Sequence, residues 1–219
     1  MAAARADDLA PLFTAFPALV GREPTSEERD RFERYAALLL LWNRTHHLTA
    51  LRTRADIARR LFLDSLLFRA ALPAGPLRLA DIGAGAGIPG VPLRIVDPGL
   101  DVVLIESQRK PVSFLRALLR EINLPEVRIH HGRAEEVGRQ DIDLFSVFDV
   151  VVARAVGAVE RVLPAAMPLL KPGGLCVVSG PPAKRGGALP AVPGGARWRT
   201  LEYKGLGVTR IFLLAIREA

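Results

Sequence analysis

Residues 81 to 90 read Asp-Ile-Gly-Ala-Gly-Ala-Gly-Ile-Pro-Gly, placed after the apolar run LRLADI and opening a helical pattern near 88–96. Glycine at every second position lets the backbone turn tightly and admits a ligand where a Cβ would collide. Gly83, Gly85 and Gly87 are therefore candidate residues of a nucleotide-cofactor loop. Asp81 adds a carboxylate at the strand end. A second acid, Glu106, closes the next apolar run 25 residues later, where a carboxylate can accept both hydroxyls of a ribose. After the third run, Gly132-Arg133-Ala134-Glu135 stands where backbone and side chain can read an adenine edge, which makes Ala134 and Glu135 candidate contacts. A plainer reading is open for both segments: a tight turn whose helix Asp81 caps, and an ordinary charged loop.

Two templates compete for the glycines. Gly85, Gly87 and Gly90 fit G-x-G-x-x-G, the dinucleotide fingerprint, whose helix N-terminus receives a pyrophosphate. Asp81, Gly83, Gly85 and Gly87 fit the acidic D-x-G-x-G-x-G loop typical of S-adenosylmethionine-dependent methyltransferases. Charge separates them: a carboxylate two residues before the first glycine repels a pyrophosphate but attracts an ammonium and a sulfonium. S-adenosylmethionine is the expected cofactor, and an NAD(P) oxidoreductase is a distant alternative. Glu106 suits either cofactor.

The elements that must position these residues follow from the apolar pattern. LRLADI, DVVLIE, VRIH, FDVVVA, GLCVVS and RIFLLAI read as six strands, with a weaker seventh at WRTLEY. Helical patterns near 88–96, 109–122 and 157–170 alternate with the first five, which implies an α/β fold with a doubly wound, mostly parallel, seven-stranded sheet. From 197 onward there is no room for a crossover helix, so the last two strands form a hairpin that inserts one antiparallel strand. Upstream, two helices are expected, one from Thr25 to Trp42 and one from about Arg54 to Ala71. The PAGP segment at 73–76 marks the seam between a small N-terminal helical subdomain, 1–75, and a Rossmann-like domain, 76–219.

Half of the 219 residues are apolar, enough for a core without disulfides or a structural metal. One cysteine, Cys176, excludes an internal disulfide, and four histidines in two adjacent pairs give no zinc spacing, so a metal-free protein of a reducing compartment is expected. The longest apolar run, Ala36 to Trp42, is too short to span a bilayer, and the first residues lack a signal-peptide core. No membrane association, a cytoplasmic location and a monomer are expected. The net charge of +7 favours a polyanionic partner, although an arginine excess over only four lysines is equally what a GC-rich genome produces.

The segments DIGAGAGIPGVPLRI, VVLIESQRKPVSFLRALLREINLPEVRIHHGRAEE and DVVVARAV, with WNRTHHLTAL and RLFLDSL upstream, give a closer match. Across roughly residues 30–180 the chain resembles the bacterial small-subunit ribosomal RNA guanine-N7 methyltransferase G family, also called glucose-inhibited division protein B. The resemblance implies a Rossmann-like class I methyltransferase that transfers a methyl group to N7 of one guanine in small-subunit (16S) ribosomal RNA. Such a target fits what is missing. N7 carries an exposed lone pair and needs no general base, and no Asn/Asp-Pro-Pro-Tyr/Phe tetrapeptide follows the fourth strand. Cys176 falls inside a strand and is read as packing rather than as a nucleophile.

By the family's R-A-V motif, Arg154 belongs to the active face, where it serves as the candidate catalytic residue and borders the cofactor. Arg109 and Lys110 open the helix after Glu106, where cations oppose the helix dipole; with Arg60 in the basic 52–60 segment they are candidate RNA contacts. Asp64 is expected to do no more than pair with Arg60 one turn back. The chain departs from the family pattern at His47, Leu61 and Ser179, where asparagine, histidine and lysine are usual. These changes bear on the target more than on the cofactor. A methyltransferase of the same fold with a shifted RNA or small-molecule target, and an RNA-binding protein with a vestigial cofactor site, are the alternatives.

Overall fold

Alternation of buried runs and helices builds one seven-stranded sheet. In the computed structural model, which describes residues 9–140, 142–154, 159–179 and 198–218, the strands are β1 (Leu77–Ile82), β2 (Leu100–Glu106), β3 (Arg128–His131), β4 (Phe148–Arg154), β5 (Leu170–Ser179), β6 (Arg199–Gly205) and β7 (Val208–Ile216). Their order is β3-β2-β1-β4-β5-β7-β6. The first five are parallel, and β7 enters antiparallel between β5 and β6, as the short 197–216 spacing requires. Leu206 and Gly207, both at positive φ, make the two-residue turn of that hairpin. The Pro/Gly-rich loop at 180–195, Gly180 and the Ala155-Val156 of the R-A-V motif lie outside the described residues.

β1 has β2 on one side and β4 on the other, so the direction of winding reverses there and a crevice opens beyond the carboxyl ends of these strands. Side chains alternate across the sheet. Leu79, Val102, Val150 and Val152 face one core, whereas Ala80, Val103, Val151 and Cys176 face the other. Asp81, two residues beyond Leu79, shares the first face. The crossover helices are α5 (Gly90–Val96), α6 (Arg109–Glu121), α7 (Ala134–Gln140) and α8 (Val159–Ala166). α7 escapes the apolar pattern because one turn, Ala134 to Val137, supplies its only buried side chains among the described ones.

Three further helical runs pack on the Asp81 face. α1 (Ala10–Val20) escapes sequence reading because Pro11 and Pro17 argue against a helix; Pro11 sits in the first turn, where a missing N–H costs nothing. α2 (Ser26–His46) starts with a capping box: Thr25 Oγ1 accepts from the Glu28 N–H, and a Glu28 carboxylate oxygen accepts from the Thr25 N–H. It runs one turn past Trp42 and stops at His47, which is left-handed at φ 53°. The last run begins as α3 (Arg54–Ile57), widens into a π-helical segment (Ala58–Leu63), returns as α4 (Asp64–Leu66) and ends in a 3-10 turn (Leu67–Ala71). Phe32, Tyr35, Phe62 and Phe114 form a linked set of tilted ring pairs that joins these helices to α6. The N-terminal helices therefore enclose no separate core; their buried residues form one cluster with Leu79, Val102 and Val150. Arg31 and Arg34 of α2 donate to the last carbonyls of α6, at Ile122, Asn123 and Glu121, where cations are favourable.

Glu28 also takes both guanidinium ends of Arg22 at 2.7 and 2.8 Å. Glu28→Ala removes half of the capping box and a bidentate pair together. The expected loss is about 2 to 3 kcal/mol, read as a lower urea midpoint with unchanged slope.

Candidate active site

At the end of β1, Ile82 stands in register with Ile105 of β2 and Ala153 of β4. The N–H groups of Gly83 and Ala84 both donate to the Ile105 carbonyl, at 2.9 and 3.2 Å, which steers the glycine loop across β2. Two glycines are dictated by crowding. A Cβ on Gly87, at φ +88°, would lie 2.8 Å from Val91 Cγ2 and 2.9 Å from Tyr35 Oη. A Cβ on Gly90 would lie 2.7 Å from Leu104 Cδ2 and 2.9 Å from Asp81 Oδ2. Glycine at 90 thus allows α5 to begin directly on the carboxylate, and its N–H donates to Asp81 Oδ2 at 2.8 Å.

Asp81 does cap a helix, as the plainer reading held, but that uses one oxygen. Oδ1 is buried without a partner among the described residues. Burial above all, opposed by the Gly90 N–H, helped by nearby Glu106 and opposed by the Arg154 charge, leaves this carboxyl pushed up to about 7. Tyr35, fully buried on α2, donates its hydroxyl to the Ala86 carbonyl and so closes the loop from above. Burial and Asp81 hold that phenol well above its ordinary range. Sequence periodicity shows Tyr35 as a core residue and gives no sign of this bond.

Glu106 ties three segments together. Its side chain accepts from the N–H of Gly85 (2.9 Å) and of Gln108 (2.8 Å), and its carbonyl accepts from the N–H of Gly132 (3.0 Å). Around it opens a cleft of about 540 Å3 whose walls include Gly83, Gly85, Glu106, Lys110, Ala134 and Glu135. The structure therefore brings together most of the expected cofactor residues. Gly87 and Asp81 lie beneath the loop rather than on the cleft wall, and Arg109 is exposed beside it. The wall that sequence reading left out is His46, His47 and Leu48, from the end of α2. Asn43 fixes this wall: its side chain accepts from the Thr49 N–H (2.9 Å) and donates to the Leu51 carbonyl (3.0 Å).

Arg154 stands apart from the other candidates. It does not line the cleft. Its Nε donates to Asp64 Oδ2 at 2.6 Å and its Nη2 to the Arg60 carbonyl at 2.6 Å. Asp64, only 5% exposed, also holds Arg210 of β7 through Oδ1. The expected Asp64–Arg60 pair is absent because the intervening π-helical segment widens the turn, so that residues four apart no longer stack: Asp64 points inward and Arg60 outward. Arg60 contributes its backbone to this cluster, and its exposed side chain lies apart from the cleft wall. Its neighbour Arg59, with Asp64 and Arg210, lines a second cavity of about 710 Å3.

The departures from the family pattern have local reasons. His47 is the left-handed residue that ends α2, a conformation in which asparagine and histidine are both over-represented. Leu61 is core, and Ser179 ends β5 almost fully buried opposite Arg154 and Phe212. Cys176 is buried on the other face with its thiol pushed up to about 12 by burial, which leaves it inert. Among the described residues no group of three or more histidine, cysteine, aspartate or glutamate side chains could hold a metal, and no helix is long and apolar enough to cross a membrane.

A sheet of this order with an acid-glycine loop at its switch point is the Rossmann-like methyltransferase fold. It is similar to the O-methyltransferase TomG from Streptomyces achromogenes, solved with its SAM (TM-score 0.58, 19% identity, 94% of this chain and 96% of that one). It is also similar to TrmN from Thermus thermophilus (TM-score 0.52, 21% identity, 71% and 48%). The model of the rRNA small subunit methyltransferase G family (GidB) matches residues 28–180, and the chain belongs to that family. Ribosomal RNA small subunit methyltransferase G of Streptococcus equi subsp. zooepidemicus (strain H70) is 41% identical over 149 residues, 67% of this chain and 62% of the relative. That of Streptococcus sanguinis (strain SK36) is 40% identical over 156 residues, 70% and 65%. The chain thus spans just under two thirds of the length of these relatives.

The raised Asp81 carboxyl makes a sign-definite prediction for the free protein. With a folded value near 7 and an unfolded value of about 3.9, its stabilising contribution is full below the lower figure and is lost as pH rises through the upper one. Asp81→Asn keeps an acceptor for the Gly90 N–H and cannot ionise. Relative to the variant, the native chain should lose about 2 kcal/mol between pH 5.5 and pH 8, measured as urea midpoints at the two values. A difference that does not change with pH would mean that Asp81 stays ionised throughout.

Proposed function

We infer that the chain is an S-adenosylmethionine-dependent methyltransferase that modifies N7 of a guanine in small-subunit ribosomal RNA, acting as a monomer in the cytoplasm. The observation that carries this reading is the pair Asp81 and Glu106. Glu106 lines a nucleotide-sized cleft, and Asp81 lies beneath its glycine loop with a buried oxygen that lacks a partner among the described residues. An ammonium or sulfonium satisfies such a site, and a pyrophosphate is repelled by it. Family membership supports the methyl-transfer chemistry, and the names of the relatives support a ribosomal RNA of the small subunit.

S-adenosylmethionine, when bound, supplies a methyl group on a sulfonium, and an N7 lone pair can accept it without first losing a proton. The residues of the chain then have three tasks. Asp81 and Glu106 bind cationic and ribose groups, the backbone of Gly83 and Gly85 with Ala134 and Glu135 shapes the cleft, and the His46–Leu48 wall restricts water. No proton has to be moved, which is consistent with the absence of a second buried acid-base pair beside the cleft among the described residues. Arg154, held by Asp64, ends β4 one residue beyond Ala153, the register partner of Ile82, and we assign its charge to the RNA side.

Calorimetry should show binding of S-adenosylmethionine and of its demethylated product, and none of NADH. Asp81→Asn and Glu106→Gln should each weaken binding by about 1 to 3 kcal/mol. In the native chain the affinity should rise from pH 6 to pH 8 as Asp81 ionises, and Asp81→Asn should flatten that rise. Mass mapping of ribosomal RNA after reaction should place one methyl group on a guanine that becomes cleavable by borohydride and aniline. Methylation without such cleavage would move the target away from N7, and binding of NADH alone would remove the methyltransferase reading.

Arg154→Ala should lower turnover at least tenfold while the cofactor dissociation constant stays within about a factor of three of the native one. Equal losses in both would assign Arg154 to the cofactor.

A further inference from the structure

Many charged side chains of this protein are paired. On α2, acids and bases alternate four residues apart and pair, Glu27 with Arg31 and Asp30 with Arg34. At the opposite ends of the strands, Arg78 and Arg128 share Asp101, and Lys171 pairs with Asp149. α6 is different. Arg109, Lys110, Arg116 and Arg120 are all exposed and make no ion pair or side-chain hydrogen bond among the described residues.

The spacing on α6 is regular. Positions 109, 113, 116 and 120 are i, i+4, i+7 and i+11, so three arginines and Ser113 stand in one straight line on the helix. The opposite face, Val112, Phe114, Leu115, Leu118 and Leu119, is buried. No acid precedes Glu121, and the helix start has neither an acidic residue nor a side-chain cap to offset Arg109 and Lys110. Like charges at this spacing repel one another, and cations in a first turn oppose the helix dipole. The last-turn position of Arg120 suits the dipole, but nothing within α6 offsets the first-turn cations or the Arg116–Arg120 repulsion, whereas α2 pairs Arg31 and Arg34 with acids one turn back.

One end of the line is at the cleft: Lys110 and Pro111 are part of its wall. From Arg109 to Arg120 the line extends about 16 Å at 1.5 Å per residue, a length that covers several phosphates of one strand. We propose that the outward face of α6, through Arg116 and Arg120 beyond the cleft mouth, is a track for the phosphate backbone of the RNA whose base enters the cleft. The proposal rests on the reading of the chain as an RNA methyltransferase. It adds where the strand leaves the site, and in which direction.

The test uses the full chain and small-subunit ribosomal RNA transcribed in vitro. Binding is followed by anisotropy over a series of potassium chloride concentrations, and methyl transfer is followed separately. Arg116→Ala/Arg120→Ala changes two exposed helical positions to a better helix former, so the fold is retained. Arg199→Ala, an exposed cation on β6 at the far edge of the sheet with no ion pair among the described residues, is the control for mere loss of charge.

The double variant should bind RNA about tenfold more weakly, with a salt slope lower by about 1 to 2. Its KM for RNA should rise while kcat and S-adenosylmethionine affinity stay native, and Arg199→Ala should match the native chain. An unchanged slope and KM in the double variant, or an equal loss in Arg199→Ala, overturns the track. Preferential binding of the native chain to phosphatidylglycerol vesicles over RNA, lost in the double variant, overturns it as well. Absence of methyl transfer to RNA by the native chain instead overturns the functional reading, and is seen in a different assay.

Discussion

A single carboxylate removed from water at the centre of the sheet constrains most of what surrounds it. Asp81 lies on the middle strand, fully buried, with one hydrogen bond to one of its oxygens. That bond requires the first N–H of α5 within 2.8 Å, which in turn requires glycine at 90 and fixes how closely α5 sits on β1 and β2. The second oxygen has no partner among the described residues, a costly arrangement in an ordinary core. A buried acceptor left open weakens the free fold, a stability cost of the kind that binding sites carry. The titration of Asp81 near neutrality expresses the same balance from the side of the proton.

The N-terminal helices belong to this site rather than to a neighbouring unit. Tyr35 reaches from α2 to the Ala86 carbonyl and fills the space that a side chain at 87 would need. Further along the same helix, Asn43 binds Thr49 and Leu51 and thereby sets the loop that carries His47 and Leu48 over the cleft. α3 and α4 bring Asp64 to Arg154 and Arg210. Each of the three connections is polar, and the Tyr35 ring packs on Phe62 and Phe114, with Phe32 against Phe62. Loss of that packing would disorder one wall of the cleft without touching the glycine loop directly.

What could be read from the sequence was what has a local period. Continuous apolar runs bounded by turns located every strand to within a few residues, and the spacing from 197 onward gave the antiparallel insertion. Glycine spacing, Glu106 at a strand end and the 132–135 stretch located the cleft for the same reason: each is a short pattern tied to one strand end. α1 was hidden by its two prolines and α7 by having a single buried turn. The partners of Asp64 were hidden in a different way. Arg154 and Arg210 are 90 and 146 residues away, and the π-helical segment breaks the only local rule, four-residue spacing, that would have suggested any partner. The Tyr35 hydroxyl is a similar case, since helical periodicity reports that a residue is buried and not what its polar end touches.

The distribution of charge about the switch point completes the physical picture. Glu106 and Glu135 line the cleft with Asp81 beneath its glycine loop, Lys110 and Arg133 share the same lining, and Arg154 and Arg210 gather on Asp64 apart from it. One carboxylate cannot neutralise two guanidiniums, so that cluster retains a net positive charge although its acid is buried. On the proposed reading the charge of a sulfonium moves from the acids to the purine, toward the phosphates that the cations attract. The acids stabilise the starting distribution and the phosphates stabilise the final one. A cation placed directly at the acceptor base would oppose the transfer. On that reading the attachment of Arg154 to Asp64, away from the cleft wall, keeps a guanidinium near enough to act on Asp81 and out of the path along which positive charge would move.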